Sequence, residues 1–149
     1  MYKFIVGLVV LLVLTSCGGG GETAEKYMQD GLINFQKQNY DQAIADFQKA
    51  VKLEPRAAAA YNMLGMAYRH KAAKLGIAEL RAQEIAAFQK ALQADPQYWV
   101  AMINLGVTYY GQGEKAKAAP LFKKALALNP QHPEKAQFEK MIAAGEAKP

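Results

Sequence analysis

Three stretches of this chain share one skeleton of small, aromatic and proline residues, and that skeleton constrains the fold more than any other feature. In the first stretch it runs Gly31…Tyr40…Ala43…Phe47…Ala50…Pro55, and in the second Leu64-Gly65…Tyr68…Phe88…Ala91…Pro96. The third runs Leu105-Gly106…Tyr109…Gly113…Ala118…Phe122…Ala125…Pro130. Each position has a physical task. Glycine and alanine let two helices approach closely, tyrosine and phenylalanine fill the space between them, and proline ends the second helix. A unit of this kind recurring along the chain predicts helical hairpins stacked side by side.

Composition agrees. Beyond the apolar N-terminus, Ala, Lys, Glu, Gln and Leu dominate, all strong helix formers. Strand-like alternation of Val, Ile and Thr between turn residues is missing from the sequence. Within its 149 residues the chain has room for one core. The net charge of +5 is spread in interleaved pairs, as in "KQNYDQAIADFQKAVKLE", which reads as solvated helix faces. Such a pattern excludes the clustered basic footprint of a nucleic-acid binder. One cysteine and two histidines provide neither an internal disulfide nor a zinc site. The sequence has no phosphate-cradling glycine loop, no nucleophile spaced to a base and no carboxylate pair at a motif spacing. It therefore predicts no enzyme, no cofactor, no metal and no small-molecule substrate.

The repeat spacing has one irregularity. Glycine to proline is 24 residues in the first and third blocks but 31 in the second, whereas phenylalanine to proline is eight in all three. Seven extra residues thus lie between Tyr68 and about Glu84, within "RHKAAKLGIAELRAQE". Seven residues are about two helical turns, so both helices of the second hairpin are expected to lengthen without rotating their faces, with Gly76 at the corner. The hairpin tip would stand beyond its neighbours as a basic projection carrying His70, Lys71, Lys74 and Arg81. Three other departures stand out. Asp30 and Asn34 take apolar and aromatic places and predict a looser first helix; Glu84 replaces the small residue opening the second helix of block two; Pro120 falls early in the last hairpin's second helix.

The skeleton resembles the tetratricopeptide repeat (TPR), a 34-residue helix–turn–helix. The resemblance implies an all-α solenoid of three such units, in which the first helix of each hairpin lines a concave face. Carried over position by position, that face comprises Glu25, Met28, Leu32, Phe35 and Gln36, then Ala59, Asn62, Met66, Arg69 and His70, then Val100, Ile103, Val107, Tyr110 and Gly111. Family members that clamp a terminal carboxylate place a Lys/Asn/Arg set here. This chain offers only Asn62 and Arg69 among apolar side chains, so a carboxylate clamp is not expected. A methionine-containing apolar groove suits a hydrophobic or helical segment of another protein. Trp99 and Tyr98 at a repeat junction are expected to wedge two hairpins, and His132 lies in a turn with nothing nearby to make it a base.

The N-terminus bears on location. Lys3 precedes an unbroken apolar run from Phe4 to Leu14, eleven residues or about 16 Å of helix, too short for a bilayer core of ~30 Å. That is the layout of a secretory signal peptide. "LTSC" at 14–17 then resembles a bacterial lipobox, which implies cleavage before Cys17 and a diacylglycerol plus an acyl chain, such as palmitate, on that residue. Two or more acyl chains hold a protein stably on a membrane, and the following glycines make a flexible tether. Gly18 rather than aspartate after the cysteine implies the periplasmic face of the outer membrane, where the source has one.

The boundaries therefore read 1–16 signal peptide, 17–23 lipidated cysteine and tether, 24–57, 58–98 and 99–132 for the three repeats, and 133–149 for a capping helix and loose tail. In the last, Phe138, Met141 and Ile142 form an apolar stripe that Gly145 is expected to close. The resemblance implies a monomeric, lipid-anchored scaffold in the bacterial cell envelope that holds an envelope protein or peptide during assembly of a larger complex, by analogy with the pilotins of secretins. The alternative is a basic surface protein whose tip binds an anionic envelope polymer, either lipopolysaccharide or a cell-wall polymer.

Overall fold

The computed structural model describes residues 21–147, and the signal segment, Cys17 and the first three tether glycines lie outside them. The described residues form seven helices and no strand. These are α1 (Ala24–Gln36), α2 (Tyr40–Leu53), α3 (Ala58–Leu75), α4 (Leu80–Ala94), α5 (Trp99–Gly111), α6 (Lys115–Leu128) and α7 (Lys135–Glu146). The first six pair as hairpins α1–α2, α3–α4 and α5–α6, and α7 lies on α6.

Each hairpin closes around the same contact. Phe47, Phe88 and Phe122 are fully buried, and the ring of each lies against Gly31, Gly65 and Gly106 respectively. A Cβ on any of these glycines would stand 2.6–2.7 Å from a ring carbon, so only a bare backbone lets the helices cross there. Hydrogen bonds link successive hairpins with the same regularity. Gln48 donates to the Tyr68 hydroxyl at 2.9 Å, and Gln89 donates to Tyr109 at 3.2 Å. In the third hairpin the same place is held by Lys123, which instead pairs with Glu146 of α7.

The helix ends follow local chemistry. Thr23 caps α1 by accepting from the Lys26 N–H at 3.1 Å, with Glu25 in the first turn. The three hairpin corners each contain a residue in the left-handed region: Gln38 (φ 59°), Gly76 (φ 67°) and Gly113 (φ 80°). Glycine takes that conformation freely, whereas glutamine does so at a cost. Gln38→Gly is therefore expected to raise stability by about 0.5–1 kcal/mol in urea titrations, the relief of strain exceeding glycine's extra unfolded-state entropy.

The seven extra residues are distributed unevenly, contrary to the expected lengthening of both helices. α1 and α5 each end five residues after their crossing glycine, but α3 continues five further, through Lys71–Leu75. One more residue lies in the corner, and α4 gains only one. Gly76 does form that corner, and the N–H of Ile77 returns to the Ala72 carbonyl at 3.1 Å.

Two other expectations change. The first helix is not loose at Asn34, whose amide donates to buried Asp46 of α2 at 2.8 Å, while Asp30 pairs with Lys26. Gly145 does not close α7 but sits inside it, where a Cβ would stand 2.3 Å from the Lys115 carbonyl oxygen. Its absent side chain is what lets α7 approach α6. Pro120 occupies the second turn of α6, and the Ala116 carbonyl that loses its helical partner belongs to an exposed residue. Phe138 and Ile142 of α7 are buried against Ala118, Ala119 and Phe122, with Met141 beside them.

Candidate interaction face

The first helices of the three hairpins lie side by side. Phe35 of α1 meets the His70 ring of α3 edge-on at 5.1 Å, and Asn62 and Arg69 of α3 hydrogen-bond to Asn104 of α5. This is the arrangement on which an interaction face depends, and the residues expected on it divide into three groups.

Leu32 and Val107 are exposed, at 37% and 39%, and Met66 is half-buried. These three form the open apolar part of the face. Met28, Phe35, Ile103 and Tyr110 are half-buried because each packs into the core beneath: the first two onto the Ala43–Phe47–Leu64 cluster, the last two onto Ala118, Phe122 and Phe138. They shape the floor of the face more than its surface.

Asn62 and Arg69 behave differently from the polar ligand candidates suggested by the sequence. Asn62 is 5% exposed and accepts from the Asn104 amide at 2.9 Å. The Arg69 guanidinium has an acceptor for each of its five N–H groups. Nε donates to Glu84 Oε1 at 2.8 Å. Nη1 reaches Asn104 Oδ1 at 3.2 Å and the Met66 sulfur at 3.6 Å. Nη2 reaches the Asn104 carbonyl and Thr108 Oγ1, both at 2.7 Å. The guanidinium carbon also lies 4.9 Å from the centre of the Phe88 ring. No donor is left over for a ligand carboxylate, because the donor inventory of arginine is filled inside the fold.

Glu84 explains why. It is 1% exposed, and Thr108 Oγ1 donates to its Oε1 at 2.5 Å, while Oε2 has no hydrogen-bond partner. Glu84 stands four residues before Phe88, where the other hairpins have Ala43 and Ala118; Arg69 stands four after Gly65, where they have Phe35 and Tyr110. The aromatic-over-alanine contact of hairpins one and three is thus replaced in the second by an arginine over a glutamate. The same exchange ties α3 and α4 to α5. Both departures are visible in the sequence, and only their shared depth in the hairpin pattern could have paired them.

The basic tip is also corrected. Its four residues do not form one free cationic patch. His70 stacks on Tyr40, with centroids 5.7 Å apart. Lys71 pairs with Asp41, and Lys74 donates to the Gln38 carbonyl at 3.3 Å with its ammonium 5.6 Å from the Tyr40 ring. The added end of α3 runs on alongside the α1–α2 corner and walls a cleft there, which Arg81, on the first turn of α4, does not line. At the far end of the stack, Trp99 meets His132 edge-on at 5.6 Å, and His132 lies 5.0 Å from Phe138. His132 Nδ1 accepts from the Glu134 N–H at 3.1 Å, so the ring serves as a packed turn element.

Residues 31–70 match the family described as TPR repeat, and residues 99–132 match the tetratricopeptide repeat. Both stretches are tetratricopeptide repeats, and all three hairpins share that fold. The first of these matches stops at His70, where the added residues of α3 begin. Among solved structures, the repeats are similar to the TPR domain of Arabidopsis OM64, with a TM-score of 0.71 at 21% identity over 83% of this chain and 96% of that one. They are also similar to the Yersinia enterocolitica type III secretion chaperone SycD in complex with a peptide of the translocator YopD (TM-score 0.69, 17% identity, 82% and 91% coverage). MamA shares 30% identity over 78% of this chain and 62% of its own, with a TM-score of 0.64. No curated protein sequence matches the chain. Among the described residues, no helix is long and apolar enough to cross a membrane, and no group of three or more His, Cys, Asp or Glu could hold a metal ion.

Proposed function

We propose that this chain is a lipid-anchored interaction scaffold of the bacterial envelope, whose α1/α3/α5 face receives a hydrophobic or helical segment of an envelope protein. The observation that carries the reading is the pairing of open Leu32, Met66 and Val107 with a saturated Arg69: the face offers apolar surface and no free guanidinium. An amphipathic helix or an apolar strand matches such a surface, since its anchors recur at the spacing of facing helices. Similar folds give the reading a precedent. SycD is solved with a translocator peptide, and a TPR of Spaghetti with an HSP90 peptide, SRMEEVD. That peptide ends in an acidic residue, whereas the guanidinium in the groove of this chain has no donor to spare for one. Anchoring rests on the "LTSC" signal at 14–17. Assembly of a larger complex is the process such a scaffold would serve, and the reading has no catalytic component.

Two measurements test the proposal separately. For the face, the full chain and its Leu32→Asp/Met66→Asp variant, matched by circular dichroism, serve as baits in envelope extracts of the source organism. A dominant protein held by the first and lost by the second supports the groove; equal capture by both overturns it. For the anchor, Cys17→Ser is expected to move the protein from the membrane fraction to the soluble fraction. Unchanged fractionation would overturn lipidation at that residue.

A further inference from the structure

A cleft of about 560 Å3 lies at the α1–α2 corner, away from the open apolar residues of the interaction face. Its outer wall carries Lys71, Lys74 and Leu75, all three within the five residues by which α3 outruns α1 and α5. Without that extension the cleft would have no wall, so it is particular to the second hairpin's added turns and not a property of the repeat. The volume falls within the range of about 300–1,000 Å3 typical of small-ligand sites.

The chemistry of the lining is uneven. Four carboxamide side chains face it, from Asn34, Gln38, Asn39 and Gln42, and Leu75 is its one aliphatic residue. Asn34 and Gln42 each commit an amide N–H to the buried Asp46 carboxylate, at 2.8 and 3.0 Å. Those bonds fix the two carboxamide groups and leave their carbonyl oxygens to accept. Preset acceptors suit a ligand rich in O–H donors. A peptide would instead bring side chains that need apolar pockets, and the cleft offers them only Leu75 and the Tyr40 ring.

Charge within the cleft comes from two ammonium groups and one carboxylate. The Lys71 side chain is 23% exposed and pairs with Asp41, whose side chain is 82% exposed. Lys74 has only the Gln38 carbonyl and the Tyr40 ring as partners. An aspartate this exposed is held weakly, because an ion pair in water is worth little. Its carboxylate can swing away into solvent, while Lys71 stays in place.

We propose that this cleft binds an acidic sugar, a uronic-acid unit of an oligosaccharide. The sugar carboxylate takes the place of Asp41 on Lys71 and reaches Lys74, and the ring hydroxyls donate to Asn34 and Gln42. Asp41 then acts as an internal competitor that occupies the anion position when no ligand is bound. This assignment makes Asp41 and the lysines differ in sign, which simple attraction between a basic surface and a polyanion would also do only weakly and for any anion.

The test is calorimetric titration of the detergent-solubilised full chain with galacturonate, glucuronate and mannuronate trimers, their methyl esters, and a triglutamate peptide at matched ionic strength. At least one free-acid trimer is expected to bind, and its uncharged ester is not. Lys71→Gln and Lys74→Gln should each weaken binding about tenfold, and Asp41→Asn should tighten it about threefold. All three positions are at the surface, and circular dichroism is to check that each variant folds. Leu32→Asp/Met66→Asp should leave this binding unchanged, which separates its failure from failure of the groove. No binding by any trimer, equal binding of the esters, or weaker binding by Asp41→Asn overturns the proposal. So does triglutamate binding as tightly as the best trimer, which would assign the cleft to an acidic peptide.

Discussion

Arg69→Met is expected to destabilise the protein by about 3–5 kcal/mol, the cost of leaving a buried carboxylate without its partner. Methionine keeps the apolar stem over Phe88 but removes all five donors, so Glu84, at 1% exposure, would face only Thr108. Glu84→Ala should cost less, about 1–2 kcal/mol, because Arg69 is partly exposed and keeps Asn104 and Thr108. The informative variant is the double one. Arg69→Tyr with Glu84→Ala recreates the Tyr110–Ala118 arrangement of hairpin three, and buried ion pairs are often replaced by packed apolar groups without loss. It is expected to lie within about 1 kcal/mol of the natural protein, far above Arg69→Met. Urea titration followed by circular dichroism measures all three. An Arg69→Met cost below about 1 kcal/mol would mean that water reaches the Glu84 carboxylate in solution.

A methyl group at Gly65 should have the second largest effect. Gly65→Ala places a Cβ 2.6 Å from the Phe88 ring, which is fully buried and cannot swing aside. Alanine's better helix propensity offsets about 1 kcal/mol, whereas forcing the crossing apart costs typically 1–3 kcal/mol, and more where both sides are rigid. A net loss of about 1–3 kcal/mol is expected in the same titration. Gly111→Ala is its control. Nothing lies within 4 Å of a Cβ there, so this substitution should be neutral or stabilising by a few tenths of a kcal/mol to about 1. If the two alanines shift stability equally, the glycine–phenylalanine crossing is not what sets hairpin spacing.

The same two sites show how far the sequence could be read. The Gly65–Phe88 contact was legible because it recurs at Gly31–Phe47 and Gly106–Phe122, and a periodic signal names its own partners. Glu84 was visible as a departure and Arg69 as a polar residue of the groove, but not the two as a pair. Their link lies only in a shared depth of the hairpin pattern, which neither residue shows by itself. Arg69 was therefore read as a groove cation, and its donors turned out to be filled by Glu84, Asn104, Thr108 and Met66. Likewise the insertion was legible as seven residues with a corner at Gly76, but its division was not. Adding turns to either helix preserves the faces equally well. Which helix grows depends on contacts such as Lys71–Asp41 and His70–Tyr40, which join residues 30 apart in sequence.

The sequence by itself determined the class of fold, the number of hairpins, the crossing residues and the corner at Gly76, because these follow from local propensity and a repeated spacing of small and large side chains. Only the tertiary structure decided which of the expected groove residues stay open, that an ion pair inside the second hairpin is hydrogen-bonded to the third, and that the added end of α3 walls a cleft. Those outcomes depend on side chains from different hairpins meeting at a given depth. Polar groups choose their partners by distance and burial, neither of which is written in the order of residues along one helix.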